Sequence, residues 1–250
     1  MVPLKSKEDL AMMRKSGNIL ASVMKKLREY IKVGVSTEEI NRLAEELVRK
    51  NKAIPAFLGY KGFPASICTS INEEIVHGIP GGRMLKDGDI ISLDLGVNYE
   101  GYFSDAALTL GLGEIAGRVK KLIAVTRAAL SEGIKQARAE NRVSDISCAI
   151  QNYVEKNGFS VVRQFVGHGI GRSLHEEPEI PNFGLAHQGA LIKNGMVFAI
   201  EPMVNMGSWE SEILDNGWTA VTKDRLPSAH FEHTVAVTDK GPEILTQEYA

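Results

Sequence analysis

Two periods govern where apolar residues fall along this chain, and the switches between them mark out its elements. Leu10, Met13, Gly17, Ile19, Leu20, Met24, Leu27 and Ile31 follow helical spacing, and Ser6-Lys7-Glu8-Asp9 ahead of them has the form of a capping box. A long amphipathic helix is expected there, closed by Gly34. Ser36-Thr37-Glu38-Glu39 caps a second helix whose apolar face is Ile40, Leu43, Leu47 and Val48. From Ala53 to Pro80 short apolar runs are cut by Gly and Pro, which reads as short strands and loops. Two further helices are expected over 116–138 and about 144–157, the last stopping at Asn157-Gly158.

Between the two helical pairs, Ile90, Ile91, Leu93, Leu95 and Val97 form a strand, Asn98 and Gly101 bracket a tight turn, and 102–110 return as a second strand. If Asn98 pairs with Gly101, facing residues sum to 199, and Asp94 lies opposite Asp105. Their Cβ atoms would then be ~4.5–5.5 Å apart. Two like charges ~4 Å apart repel by ~4 kcal/mol at an effective dielectric of ~20, so such a pair calls for a proton or a cation. A register slip that leaves one Asp in solvent is the alternative.

The second half echoes the first. Lys86 to Leu95 aligns with Lys193 to Pro202 at an offset of 107, which sets Asp94 on Glu201. A chance match of Lys-x-Gly followed by apolar residues is the alternative to a true repeat. Asn216-Gly217 between apolar flanks signals another hairpin, after which His230 to Val237 forms a strand that can return beside Glu201. Glu232 thereby becomes a fourth strand-borne carboxylate.

Composition narrows the classes. The chain has 250 residues, 44% of them hydrophobic and 24% charged, with a formal charge of −2. That is a soluble globular composition with no electrostatic case for nucleic acid or anionic membrane as the main partner. Two cysteines, Cys68 and Cys148, make neither a disulfide framework nor a thiolate zinc site, which fits a reducing cytosol. No signal peptide or transmembrane run is present.

Asp94, Asp105, Glu201 and Glu232 sit in strands apolar enough to bury them, and isolated buried carboxylates are costly. The Gly-rich segment from Val166 to Pro178 adds His168 and His175. One histidine with four carboxylates makes a hard, oxygen-rich site suited to a pair of Mn, Fe, Co or Zn ions. Two metals ~3.5–4 Å apart can hold a bridging hydroxide and polarise a carbonyl, which is hydrolytic machinery. Other residues read more plainly. His230 and His233 flank Glu232 and are expected on the opposite strand face, His187 is expected in solvent, and Cys68 is expected as a packing residue, with a nucleophile as its alternative.

Asp94 and Asp105 with ten residues between them, Gly167-His168-Gly169-Ile170-Gly171, His175-Glu176-Glu177-Pro178, Ile200-Glu201-Pro202 and Glu232-His233-Thr234 occur in order. With Gly59-Tyr60, Gly62, Pro64, Ser70-Ile71-Asn72-Glu73 and His77-Gly78-Ile79-Pro80, the chain resembles the type I methionine aminopeptidases over essentially its whole length. The resemblance implies an α+β pita-bread fold: a single catalytic domain over 1–250 with pseudo-twofold halves, about 1–112 and 113–250, and a central curved antiparallel sheet covered by helices. It implies two divalent ions (Co, Mn, Fe or Zn), bridged by Asp105 and Glu232, with Asp94 on one and His168 and Glu201 on the other.

By the same resemblance Glu201 takes a proton from the attacking water, His77 binds the substrate amide, and His175 stabilises the oxyanion. Tyr60, Phe63, Cys68 and Trp218 are implied to line the methionine pocket, and Phe57 and Leu174 match pocket-region positions. The activity implied is removal of the initiator methionine when the second residue is small, by attack of a metal-bridging water on the scissile carbonyl. The partners implied are nascent polypeptide N-termini, with transient ribosome association; neither membrane nor nucleic acid is required for catalysis. A chain without an N-terminal zinc-finger extension or a long second-half insertion resembles the short bacterial form, a cytoplasmic monomer. Two other readings share parts of this pattern: an Xaa-Pro peptidase with the same five ligands, and a metal-free binding module on the same fold.

Overall fold

The computed structural model describes residues 2–247. Its four helices match the helical periods. They are α1 (Lys7–Tyr30), α2 (Thr37–Lys50), α3 (Gly117–Gln136) and α4 (Val143–Lys156). Ser6 and Ser36 close capping boxes with Asp9 and Glu39 at the starts of α1 and α2, satisfying N–H groups that would otherwise lack partners.

Seven strands run in the order Ile54–Pro55, Ile90–Tyr99, Tyr102–Gly111, Glu232–Thr238, Val197–Ile200, Gly167–Gly169 and Glu176–Ile180. Gly241–Ile244 adds to Glu232–Thr238 and Cys68–Ile71 to Ile90–Tyr99, so the sheet has nine strands, all paired antiparallel. It curls into a half-barrel. The order is symmetric about one joint. Ile90–Tyr99 and Tyr102–Gly111 stand on one side of it, Val197–Ile200 and Glu232–Thr238 on the other. The joint itself is only two residue pairs, Glu232 with Ala107 and His233 with Ala106.

Each half carries its own core on the same face of the sheet. Leu20, Leu27, Ile40 and Val48 of α1 and α2 pack under Ile91, Leu93, Leu95 and Val97. Leu122, Val125, Ile146 and Ile150 of α3 and α4 pack under Phe198, Ile200, Val235 and Val237. Each fully buried aliphatic of this kind stabilises by about 1.5–3 kcal/mol. Strand alternation then sends the intervening residues to the opposite, concave face.

The hairpin between the two aspartates differs from its expected register. Tyr99 pairs with Tyr102, and Glu100 and Gly101 form a two-residue loop with φ of 52° and 81°. Both are left-handed values, as a type I′ turn demands. Asn98 Oδ1 accepts the Gly101 N–H at 2.9 Å rather than pairing with it across the ladder. Facing residues therefore sum to 201, with Asp94 opposite Ala107 and Asp105 opposite Gly96. A shift of two residues preserves the face, so the aspartates are diagonal neighbours on one surface. In the later hairpin, Ser211–Ile213 pairs with Ala220–Thr222 across a longer loop than Asn216-Gly217 alone requires, and that loop carries Trp218.

Candidate metal centre and active site

The concave face of the central strands carries Asp94, Asp105, Glu232, Thr234 and Glu201, with Gly96, Ala107 and Ala199 among them. Small residues between carboxylates leave room that larger side chains would fill. His168 arrives from the adjoining strand, paired with Ala199. The strand bends at a bulge after His168, and Gly169 passes so close to its neighbour that a Cβ there would lie 2.2 Å from the Glu177 carbonyl oxygen.

The five donors expected from the sequence converge. One ligand atom each of Asp105, His168 and Glu232 lie within 4.8 Å of one another, and all three residues are buried. His168 Nε2 is 3.5 Å from Glu201 Oε1. Asp94 and Asp105 lie on one face of their hairpin, and each shifts the other's ionisation. Asp105 is held from behind by Thr234, whose Oγ1 accepts the Asp105 N–H and donates to the Asp105 carbonyl, both at 2.8 Å.

Burial pushes the Asp94 carboxyl up to about 7. Asp105, Glu201 and Glu232 are raised well above the usual carboxylate range, first by burial and then by neighbouring carboxylate charge: Asp94 on Asp105, Asp94 and Asp105 on Glu201, and Asp105, Glu201 and Asp94 on Glu232. Asp94 Oδ1 and Glu232 Oε1 are buried with no hydrogen-bond partner among the described residues. Buried acceptors without donors, packed with like charges, fit divalent cations as their counter-charge. An oxygen-rich set with one imidazole suits Mn, Fe, Co or Zn without choosing among them. His168 completes it in the form a ligand needs. Its Nδ1–H donates to the Gly169 carbonyl at 2.8 Å, and burial lowers its pKa to about 4, which leaves Nε2 a free lone pair.

A cavity of about 180 Å³ opens above the donors. It is smaller than the ~300–1,000 Å³ of drug-sized sites and suits a single side chain. Tyr60, Phe63, Cys68 and Trp218 line it, with His77 and His175 beside the carboxylates. Phe63 meets Trp218 edge to face at 5.2 Å. Cys68 is buried opposite Asp94, and burial, then the charges of Asp94, Asp105 and Glu232, push its thiol up; it packs and is no nucleophile. His175 stands 4.2 Å from the His168 ring, centroid to centroid, and its Nδ1 is 2.8 Å from the Tyr60 hydroxyl. Burial first, then His168, lowers it to about 3, so it is neutral. Burial likewise lowers His77, which sits at φ 60° with its ring edge-on to Phe165. A left-handed backbone at a β-carbon-bearing residue is strain of the kind that gathers at functional sites.

The comparisons with known proteins bear on this geometry directly. A model of metallopeptidase family M24 matches residues 11–239. The chain belongs to that family, among its methionine aminopeptidases. A methionine aminopeptidase of Clostridium perfringens is 52% identical over 98% of this chain and 99% of its own length. One of Bacillus subtilis is 50% identical over 99% of this chain and all, 100%, of its own. The crystal structure of methionine aminopeptidase from Thermotoga maritima superposes with a TM-score of 0.98 at 43% identity, covering 99% of this chain and 100% of that one. The fold is the pita-bread fold of these enzymes. A prolidase from Pyrococcus furiosus, at 22% identity and a TM-score of 0.79, shares the fold and extends well beyond it, since the match covers 66% of that chain.

Two expectations about histidines need correcting or extending. His233 does lie on the far face, its Nδ1 2.9 Å from Thr246 Oγ1. His230 does not. It shares the parity of Glu232 and is buried with Nε2 3.7 Å from Glu201 Oε2. Neither of its ring nitrogens has a hydrogen-bond partner among the described residues. His230 ends the strand Ser228–His230 and Glu232 begins the next, Glu232–Thr238, so alternation within one strand does not settle its face; the fold brings it beside Glu201. Lys61 also lines the cavity, a placement that no sequence pattern signals, and Phe57 and Leu174 line it as their motif positions imply. His187 is exposed on the surface, with Nδ1 3.1 Å from Asp145.

Proposed function

We propose that this enzyme removes the initiator methionine from new polypeptides whose second residue is small. The observation that carries the reading is the convergence of Asp94, Asp105, His168, Glu201 and Glu232 beneath a one-side-chain cavity flanked by two neutral histidines. Asp105 and Glu232, beside the joint between the halves, would each serve both of two divalent ions, with Asp94 holding one of them and His168 and Glu201 the other. Two divalent ions there supply Lewis acidity for the scissile carbonyl and lower the pKa of the attacking water.

The chain's own residues do the rest. Tyr60, Phe63, Cys68 and Trp218 receive the methionine side chain, whose thioether suits aromatic and sulfur surfaces. Glu201 accepts the proton of the attacking water. His77 holds the amide next to the scissile bond. His175 donates a hydrogen bond to the oxyanion as the carbonyl becomes tetrahedral.

The same reading makes the chain one catalytic domain with halves 1–112 and 113–250, working as a monomer in the cytoplasm on nascent N-termini near the ribosome. No helix among the described residues is long and apolar enough to cross a membrane. Metal-loaded enzyme presented with Met-Ala-Ser and Met-Leu-Ser tests the substrate rule. Release of methionine from the first and suppression with the second supports it; equal rates overturn it.

A further inference from the structure

We propose that Tyr60 is a positioning residue that sets the tautomer of His175, so that the imidazole proton is carried on Nε2 and presented to the reacting carbonyl. The inference rests on the oxyanion role of His175 given above and assigns Tyr60 a task beyond lining the pocket.

The hydroxyl of Tyr60 and Nδ1 of His175 are 2.8 Å apart, and their rings stack at 5.3 Å with 25° between planes. A neutral imidazole carries one proton, and the partner of one nitrogen decides which nitrogen holds it. A phenol is the stronger donor of this pair and an imidazole nitrogen the stronger acceptor, so the O–H donates to Nδ1. That leaves Nε2 protonated, which is the form an oxyanion donor needs. The opposite arrangement would turn an Nε2 lone pair toward the negative oxygen.

Adjacent His168 has the reverse assignment for the same reason. Its Nδ1–H is committed to the Gly169 carbonyl, so its Nε2 is an acceptor facing the carboxylates. Two imidazoles 4.2 Å apart are thus given different jobs by what touches their Nδ1 atoms. Tyr60 is held firmly enough to do this. Its carbonyl accepts the Phe63 N–H at 2.9 Å, and its own N–H donates to the Phe57 carbonyl at 2.9 Å.

Tyr60→Phe keeps the ring that packs in the pocket and removes only the hydroxyl. On Met-Ala-Ser we expect kcat to fall about tenfold with KM nearly unchanged, the loss of one hydrogen bond felt in the transition state. Placed on a His175→Ala background, Tyr60→Phe should cause no further loss. Nitrogen-15 spectra of histidine-labelled, zinc-loaded protein should show His175 protonated on Nε2 in the parent and a mixture of tautomers in Tyr60→Phe. A rise in KM alone, an undiminished loss in the double variant, or a His175 proton on Nδ1 in the parent would each overturn the proposal. The spectra decide it even if the parent fails to cleave the peptide, an outcome that would count against the aminopeptidase reading instead.

Discussion

Thr234 links the strands Tyr102–Gly111 and Glu232–Thr238 at the candidate metal centre, and its hydroxyl can be removed without changing its shape. Its Oγ1 accepts the Asp105 N–H and donates to the Asp105 carbonyl, each at 2.8 Å, in a fully buried setting. Thr234→Val leaves both Asp105 backbone groups without that partner. An orphaned buried donor costs about 1–3 kcal/mol, and a lost hydrogen bond at the carbonyl adds about 1 kcal/mol, so a destabilisation of roughly 2–4 kcal/mol is expected. Against a typical stability of ~5–15 kcal/mol this is a large fraction. Asp105 would also lose its fixed register, and supporting contacts of this kind are worth roughly 10–100-fold in metal affinity. Urea denaturation of the metal-free protein gives the first figure, and calorimetric titration with Mn or Zn the second. Thr234→Ser should recover most of both. A Thr234→Val protein as stable as its parent, with undiminished metal affinity, would refute the view that this hydroxyl sets the position of Asp105.

Three further outcomes follow from the same geometry. His175→Ala should retain nearly all its metal by elemental analysis while turnover falls by roughly 10²–10³, the usual cost of one oxyanion donor; loss of the metal would make His175 a ligand. Asp105→Asn should bring bound metal to one ion per chain or fewer, and a fully active two-metal variant would exclude the bridging role. Burial lowers His233 to about 4, against roughly 6.5 in an unfolded chain, so the unfolded state binds the extra proton. Stability present above about pH 6.5 is therefore lost as pH falls toward 4, by roughly 2 kcal/mol for this residue between pH 7 and pH 5. Denaturation midpoints of parent and His233→Gln at the two pH values check it, since the variant should lose less on acidification.

The helices and the faces of the strands were legible in the sequence because both rest on local periods. Capping serines placed α1 and α2 closely, and alternation placed Asp94 and Asp105 on one face. Register was less accessible. Whether Asn98 faces Gly101 or Phe103 across the ladder depends on left-handed backbone at Glu100 and Gly101, which the apolar pattern does not encode. The repeat offset led from Asp94 to Glu201 and pointed to the symmetric joint on which Glu232 sits. His230 was missed because it closes one strand and Glu232 opens the next, so alternation along a single strand could not place it beside Glu201. Lys61 was not readable at all, since a short turn brings it over the cavity without any period.

The most direct test of the central claim is peptide cleavage by protein stripped with a chelator and then reloaded singly with Mn, Co, Fe or Zn, offered Met-Ala-Ser and Ala-Pro-Ala. The account predicts no turnover after stripping, and release of methionine alone from the first peptide once a metal is restored. Cleavage before proline, methionine release that survives chelation, or no cleavage with any metal would contradict it.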